Sequence, residues 1–220
     1  MLIKLDEIFQ NYDISVKGIL HVGAHAAEES VDYQRFGINR VVWVEANPSM
    51  MLRLMETTAH LVGNSYHWFA AHETDNTIVE LNIASNGESS SILDFDTHLT
   101  EHPHVKMVDK IKVPTRRMDT FMLASGYDPD CFNFLNLDIQ GAELIALKGM
   151  TGILDNIQYV YTEINEKSLY AGCCLTPELD EFLAEHGFKR YATHMTPFGW
   201  GDAFYAKEGT TSWPIIDRLE

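Results

Sequence analysis

Three acidic residues in this 220-residue chain each follow an apolar run. Glu45 ends Val41-Val-Trp-Val, Asp138 ends Phe132-Asn-Phe-Leu-Asn-Leu, and Glu163 ends Ile157-Gln-Tyr-Val-Tyr-Thr. An acid at the carboxyl end of a buried strand faces the crevice where ligands of open α/β sheets sit. The residues before Glu45 extend the pattern. Ile19-Leu-His-Val is a hydrophobic run, Gly23-Ala24-His25 a small-residue turn, and Glu28 to Phe36 a helical stretch leading into the next strand. Such a turn lets backbone approach a ligand, and Glu45 is placed to accept hydrogen bonds from both hydroxyls of a ribose. A ribose phosphate would favour Arg here instead. The pattern predicts a nucleoside pocket, although a plain strand-to-helix turn is the better explanation of Gly23 and Ala24 when they are taken alone.

The elements that must position these residues alternate. Residues 1–17 read as an amphipathic lead-in with Leu2, Leu5, Ile8 and Phe9 at helical spacing. Strands are expected at 18–23, 40–45, 66–71, 77–83, 111–114, 132–138, 157–163, 188–193 and 203–207. Helices are expected at 28–36, from Asn47-Pro48 to about 60, at 118–124, 141–148 and 176–186. Gly37 and Gly187 supply stops, Asn47 is an N-cap and Pro48 takes the first turn. Residues 84–110, rich in Ser, Asp and His, predict an inserted flap or lid with a short helix. The tail with Trp213-Pro214 carries no assignment. Alternating strands and helices imply a single α/β domain. Its central sheet is mostly parallel, with helices on both faces, and the last two strands form an antiparallel edge hairpin.

Composition narrows the partners. Thirty-two acids against 16 bases give a net charge of −16, which argues against nucleic acid and against anionic lipid. No apolar run reaches the roughly 20 residues of a membrane span, and the N-terminus lacks the pattern of a signal peptide. Cys131, Cys173 and Cys174 are odd in number and two are adjacent, so a reducing, cytoplasmic setting without disulfides is expected. No Cys/His spacing suggests a metal site. Oligomeric state is not legible.

Five ordered blocks carry a family resemblance: His21-Val-Gly-Ala-His25 with Glu28-Glu29; Val44-Glu45-Ala46-Asn47-Pro48; Val113-Pro-Thr-Arg-Arg-Met-Asp119-Thr; Phe134-Leu-Asn-Leu-Asp138-Ile-Gln-Gly141-Ala-Glu143-Leu with Leu147-Lys-Gly149; and Tyr161-Thr-Glu163-Ile-Asn165 with Leu169-Tyr170. Over residues 18–207 the chain resembles the FkbM-type methyltransferases, a branch of the class I S-adenosylmethionine-dependent enzymes. The resemblance implies a Rossmann-like methyltransferase fold and S-adenosylmethionine as methyl donor. It also implies methylation of a hydroxyl on a small molecule or saccharide. The chain departs from the family pattern in three places. His25 stands where Asn is common. Ala27 stands where Gly is expected, a change tolerable at a negative backbone angle. Gln140 replaces the acid of an Asp-Val-Glu-Gly run, which puts any role of that acid in doubt.

The candidate cofactor contacts are Gly23, Ala24, His25, Ser30, Glu45, Ala46, Ala71 and Asp138. Asp138 and Glu163 are the candidate catalytic residues. Asp138 can meet the donor's ammonium, sit near the reacting centre, or cap the following helix. Glu163 and Asn165 line an acceptor pocket, with Glu163 as hydrogen-bond acceptor or general base, or else give polarity to its rim. Ser30 touches the donor carboxylate or is an ordinary serine near a helix start. Trp43 reads as core, and Tyr170 and Trp200 as packing or pocket walls. No single histidine stands out as a base. Two other readings compete: a nicotinamide-dependent oxidoreductase, which lacks its G-x-G-x-x-G fingerprint here, and a non-catalytic module that keeps the fold.

Overall fold

The computed structural model describes residues 2–211; Met1 and the Trp213-Pro214 tail lie outside them. In chain order the strands are β1 (Ile19–Val22), β2 (Val41–Glu45), β3 (Asn64–Trp68), β4 (Ala70–Ala71), β5 (Ile78–Ala84), β6 (Met107–Arg116), β7 (Phe134–Leu137), β8 (Tyr159–Asn165), β9 (Phe188–Met195) and β10 (Trp200–Lys207). The helices are α1 (Leu5–Asn11), α2 (Ser30–Arg35), α3 (Met51–Thr57), α4 (His98–Glu101), α5 (Met118–Ala124), α6 (Glu143–Lys148) and α7 (Thr176–Glu185). Seven strands form the main sheet in the order β3-β2-β1-β7-β8-β10-β9. The first five in that order pair in parallel, and β10 and β9 close the edge as an antiparallel hairpin. The fold is Rossmann-like, as expected.

The central strands are apolar because both of their faces are covered. Leu20, Val22, Val42, Val44, Leu135 and Leu137 point to one face, where Met118, Met122, Leu147, Leu179 and Leu183 of α5, α6 and α7 meet them. Ile19, Val41, Trp43, Phe134, Tyr159 and Tyr161 point to the other, against Leu5, Ile8, Tyr33 and Leu54 of α1, α2 and α3. Each such buried side chain contributes about 1.5–3 kcal/mol of transfer free energy. Trp43 is core, its Nε1 donating to Asn64 Oδ1 at 2.8 Å. Asn47 caps as expected, accepting from the Ser49 amide at 3.1 Å ahead of Pro48.

Several boundaries differ from the sequence reading. The 66–71 strand is two strands: β3 stays in the main sheet, while β4 joins a second sheet of order β4-β6-β5. The strand expected at 111–114 runs from Met107 to Arg116 and pairs antiparallel with β5, so the segment between β5 and β6 is 85–106. Glu163 does not end its strand. β8 continues to Asn165, with Glu163 opposite Asp202 of β10. Asp138 does not cap α6, whose N-cap is Ala142 with no side-chain bond. Glu143 serves that turn, its Oε1 accepting from the Ile139 and Gly141 amides at 3.0 and 3.1 Å. Ala27 has φ +58, so the negative angle that would make it an easy replacement for Gly is absent. The left-handed angle costs about 1–2 kcal/mol, and the methyl is fully buried among Ile19, Trp43 and their neighbours.

Gly23 joins β1 to the site. Its φ is +86, and a Cβ there would lie 1.8 Å from the carbonyl oxygen of Asp138. The Gly23 and Ala24 amides both donate to Val44 O, at 3.0 and 3.1 Å. One glycine thus brings the ends of β1, β2 and β7 into contact. Gly23→Ala is expected to destabilise the protein by about 3 kcal/mol or more. Urea unfolding followed by circular dichroism measures this, and an unchanged midpoint would show that the turn relaxes freely.

Candidate functional site

The carboxyl ends of β1, β2, β7 and β8 open into two adjoining cavities that share Gly23, His25, Glu88, Asp138 and Gln140. The first is a slot. Val22, Phe69, Ala71, Leu81, Ile92 and Ile139 give it apolar walls, and Glu45, Ala46 and Asn47 line one end. Glu45 is buried, with Oε2 accepting from the His25 amide at 2.8 Å and Oε1 from the Asn47 amide at 2.7 Å. Burial raises its carboxyl above the usual range, and these two amides pull it back. Each oxygen has used one acceptor position, and a carboxylate offers about four. The slot therefore presents a flat apolar space ending on an acid with unused acceptors, the chemistry that adenosine with its two ribose hydroxyls requires.

The second cavity is a polar chamber of about 330 Å³. Its floor is a carboxyl cluster tied together by one amide. Gln140 Nε2 donates to Asp138 Oδ1 at 2.7 Å and to Glu163 Oε2 at 2.6 Å, while Tyr170 Oη donates to Gln140 Oε1 at 2.6 Å. Asn165 Nδ2 donates to Glu163 Oε1 at 3.2 Å. Burial, reinforced by the charges of Asp138 and Glu143, raises Glu163 well above the carboxylate range. Burial also raises Asp138, and it pushes Glu143 up to about 7. Like charges this close do not all ionise.

A second polar line runs beneath the chamber wall. Asn136 Nδ2 donates to Tyr33 Oη at 2.7 Å, and that hydroxyl meets His21 Nδ1 at 3.0 Å. Burial lowers His21 to about 3, so it is neutral, and its Nε2 lies 3.9 Å from Glu29 Oε2. Burial raises Glu29 to about 7. On the rim, His25 Nδ1 pairs with Glu28 Oε1 at 2.9 Å.

Of the residues singled out from sequence, Gly23, His25, Glu45, Ala46, Ala71 and Asp138 line the slot, and Ala24 and Glu163 line the chamber. Tyr170 and Trp200 also line the chamber, so both readings of them hold together. Ser30 is the exception. It is completely buried at the start of α2, its hydroxyl has no partner among the described residues, and it lines neither cavity. The helix turns its side chain into the core. Sequence reasoning missed the 85–106 segment as a source of site residues. Gly87, Ser90, Ser91 and Ile92 roof the slot, and Ser89, His98, His102 and His104 wall the chamber. The clustering of Ser and His there was the available signal. Among the described residues no group of three or more His, Cys, Asp or Glu is placed to hold a metal ion, none of the helices is long and apolar enough to cross a membrane, and the three cysteines are free.

Comparison with known proteins adds an independent finding. Residues 21–190 match the model of the methyltransferase FkbM domain. The chain is similar to the 2-O-methyltransferase NoeI of Sinorhizobium fredii, at 32% identity over 84 residues. That match covers 38% of this chain and 34% of the relative, so the chain spans about a third of the length of the curated relative it matches. A Streptococcus pneumoniae protein described as a tRNA (m1A22) methyltransferase, Sp1610, shares the fold with a TM-score of 0.51 at 11% identity. The match covers 94% of this chain and 71% of that one. A second structure of Sp1610, in complex with S-adenosyl-L-methionine, gives 0.46 at 12% identity and covers 86% and 65% of the two chains. The family match sets aside the nicotinamide reading. With most of its length matched and its sheet and crevice arranged as described, this chain belongs to the FkbM methyltransferases, a family whose cofactor is S-adenosylmethionine.

Proposed function

We propose that this protein methylates a hydroxyl on a small molecule or a saccharide. The observation that carries the reading is the junction of the two cavities: an apolar slot ending on Glu45 meets a polar chamber at Asp138 and Gln140. When bound, S-adenosylmethionine supplies an electrophilic methyl group. Glu45 holds the ribose hydroxyls, the apolar walls around Phe69, Ala71 and Ile139 take the adenine, and Asp138 receives the ammonium of the methionine portion. Glu163 and the Trp200 and Tyr170 rings offer a hydrogen-bonding group and flat apolar surface to a polyhydroxylated acceptor. Fixing donor and acceptor in contact supplies much of the acceleration in such a displacement. The name of the 2-O-methyltransferase relative supports a hydroxyl acceptor, and the net charge of −16 favours a neutral or cationic one over a polyanion.

The test is transfer of isotopically labelled methyl from S-adenosylmethionine to a panel of methyl α-glucoside, methyl α-mannoside and simple alcohols and amines. A labelled methyl ether supports the reading. Label on nitrogen alone overturns it, and binding without any turnover favours a non-catalytic module.

Glu45→Gln keeps the size of the side chain but turns one oxygen into an amide that faces a backbone N–H. Calorimetric titration with S-adenosylhomocysteine is expected to show affinity lowered at least tenfold, about 1.4 kcal/mol. Unchanged affinity would remove Glu45 from the sugar site. Glu45→Ala is the poorer variant, because it also strands the His25 and Asn47 amides.

Residues 85–106 act as a lid in this reading. They hang on the loop after β8 through backbone bonds from Asp96 and His98 to Leu169 O at 2.8 and 3.2 Å and from Ala171 to Asp94 O at 2.8 Å. Hydrogen exchange in this segment is expected to slow when S-adenosylhomocysteine and an accepted glycoside are both present. Equal exchange in every state would mean that the segment is a fixed wall.

A further inference from the structure

Removing a proton from a hydroxyl requires a group that faces the chamber in its basic form with a lone pair to spare. The titratable groups around the chamber can be taken in turn. Glu163 has both oxygens engaged by the amides of Gln140 and Asn165, and Asp138 is held by Gln140. Glu29 lies 3.9 Å from His21 Nε2, and Glu28 is bonded to His25. His21 has Nδ1 engaged by the Tyr33 hydroxyl. Glu88 is exposed at the rim, as is His104, and His102 is half-buried between His104 and the interior.

His98 differs from all of these. It lies in α4 of the lid, is 3% exposed and lines the chamber. Its ring stacks on Phe95, with centroids 4.1 Å apart and 13° between planes, and packs against Tyr170 at 5.5 Å. Its backbone amide is fixed to Leu169 O at 3.2 Å. Yet its Nδ1 is buried without a hydrogen-bond partner, and no other described residue hydrogen-bonds the ring. Leaving a buried imidazole nitrogen unpaired costs about 1–3 kcal/mol. Nδ1 is closed off from the chamber, which leaves Nε2 as the ring nitrogen that serves it. Burial lowers the ring to about 4, which keeps it neutral at physiological pH. His102 follows, 4.9 Å away between ring centroids, and leads toward solvent past His104.

We propose that His98 is the proton acceptor for the transferred-to hydroxyl, supplied to the acceptor chamber by the lid. This assignment rests on the hydroxyl-methylation reading above. The acceptor oxygen forms the new carbon–oxygen bond as the methyl carbon's bond to sulfur breaks. The electron pair of that bond stays on sulfur, and the hydroxyl proton moves to the His98 imidazole. The charged ring is poorly accommodated where it lies, so the proton leaves along the side of His102 and His104 when the lid next admits water. The lid then has a chemical role as well as a covering one: until Phe95, Tyr170 and Leu169 hold His98 in place, the chamber lacks its base.

The experiment compares wild type with His98→Asn and His98→Ala on whichever glycoside or alcohol of the panel is turned over fastest. The expected result is a fall in kcat of about 100-fold or more in both variants, with S-adenosylhomocysteine affinity unchanged. Added imidazole is expected to restore turnover in His98→Ala, a recovery that a purely structural role would not give. Wild-type activity with undiminished kcat in His98→Asn would overturn the assignment, as would a larger loss in Glu88→Gln. A loss in His98→Ala that imidazole leaves untouched, together with normal turnover in His98→Asn, would reduce His98 to packing. If wild type methylates only nitrogen, the hydroxyl reading itself fails and the base falls with it. That outcome is distinct, because it appears before any variant is made.

Discussion

Burying carboxyl groups at the ends of parallel strands is the constraint around which this site is built. Glu45, Glu143 and Glu163 are buried and Asp138 is half-buried, and each must find donors or keep a proton. Glu45 takes two backbone amides that only the Gly23–His25 turn and the Asn47 cap can present. Glu143 takes two from the Asp138–Gly141 turn. Glu163, raised well above the carboxylate range by burial, shares the amide of Gln140 with Asp138. The loops that look like connections are therefore the counter-groups of the acids, and the shape of the crevice follows from electrostatics as much as from packing.

That constraint explains which parts were legible in the sequence. β1, β2 and β7 are covered on both faces, so they read as short, nearly unbroken apolar runs; β2 ends on an acid and β7 is followed by one. Glu45 and Asp138 could thus be placed at strand ends from order alone. β6 was not legible. Met107-Val-Asp-Lys-Ile-Lys-Val-Pro-Thr-Arg carries four charged residues and a proline, because β6 faces solvent over much of its length and pairs only with β4 and β5. Its first half was read as lid for that reason. Ser30 was misplaced because a serine near a helix start looks the same from sequence whether it faces ligand or core. Only the rotation of α2 decides it.

The chamber histidines lay beyond sequence reasoning for a different reason. Nothing in the run from His98 to His104 says which ring is buried. His98 becomes distinct through Tyr170 and Leu169, which are about 70 residues away in the chain and arrive there by way of β7, α6 and β8. Burial, stacking and the missing partner are all products of that long-range contact. A motif records neighbours in sequence, whereas a wall made by a lid closing on a loop records neighbours in space.

Gln140 shows how a departure from family pattern becomes intelligible once charge is counted. The residue sits at φ +57, a left-handed angle that an L-residue adopts at a cost of about 1–2 kcal/mol. An acid at this position would add a third carboxyl within hydrogen-bond distance of Asp138 and Glu163, where the pair already shares too little solvent to ionise fully. The amide instead donates to both and accepts from Tyr170, so three oxygens are satisfied by one side chain. The uncharged residue leaves the floor of the chamber less negative. The backbone strain at Gln140 is thus the local cost of aiming one amide between two acids, and the same turn, through Asp138 O pressed against Gly23, keeps those acids at the junction where the two cavities meet.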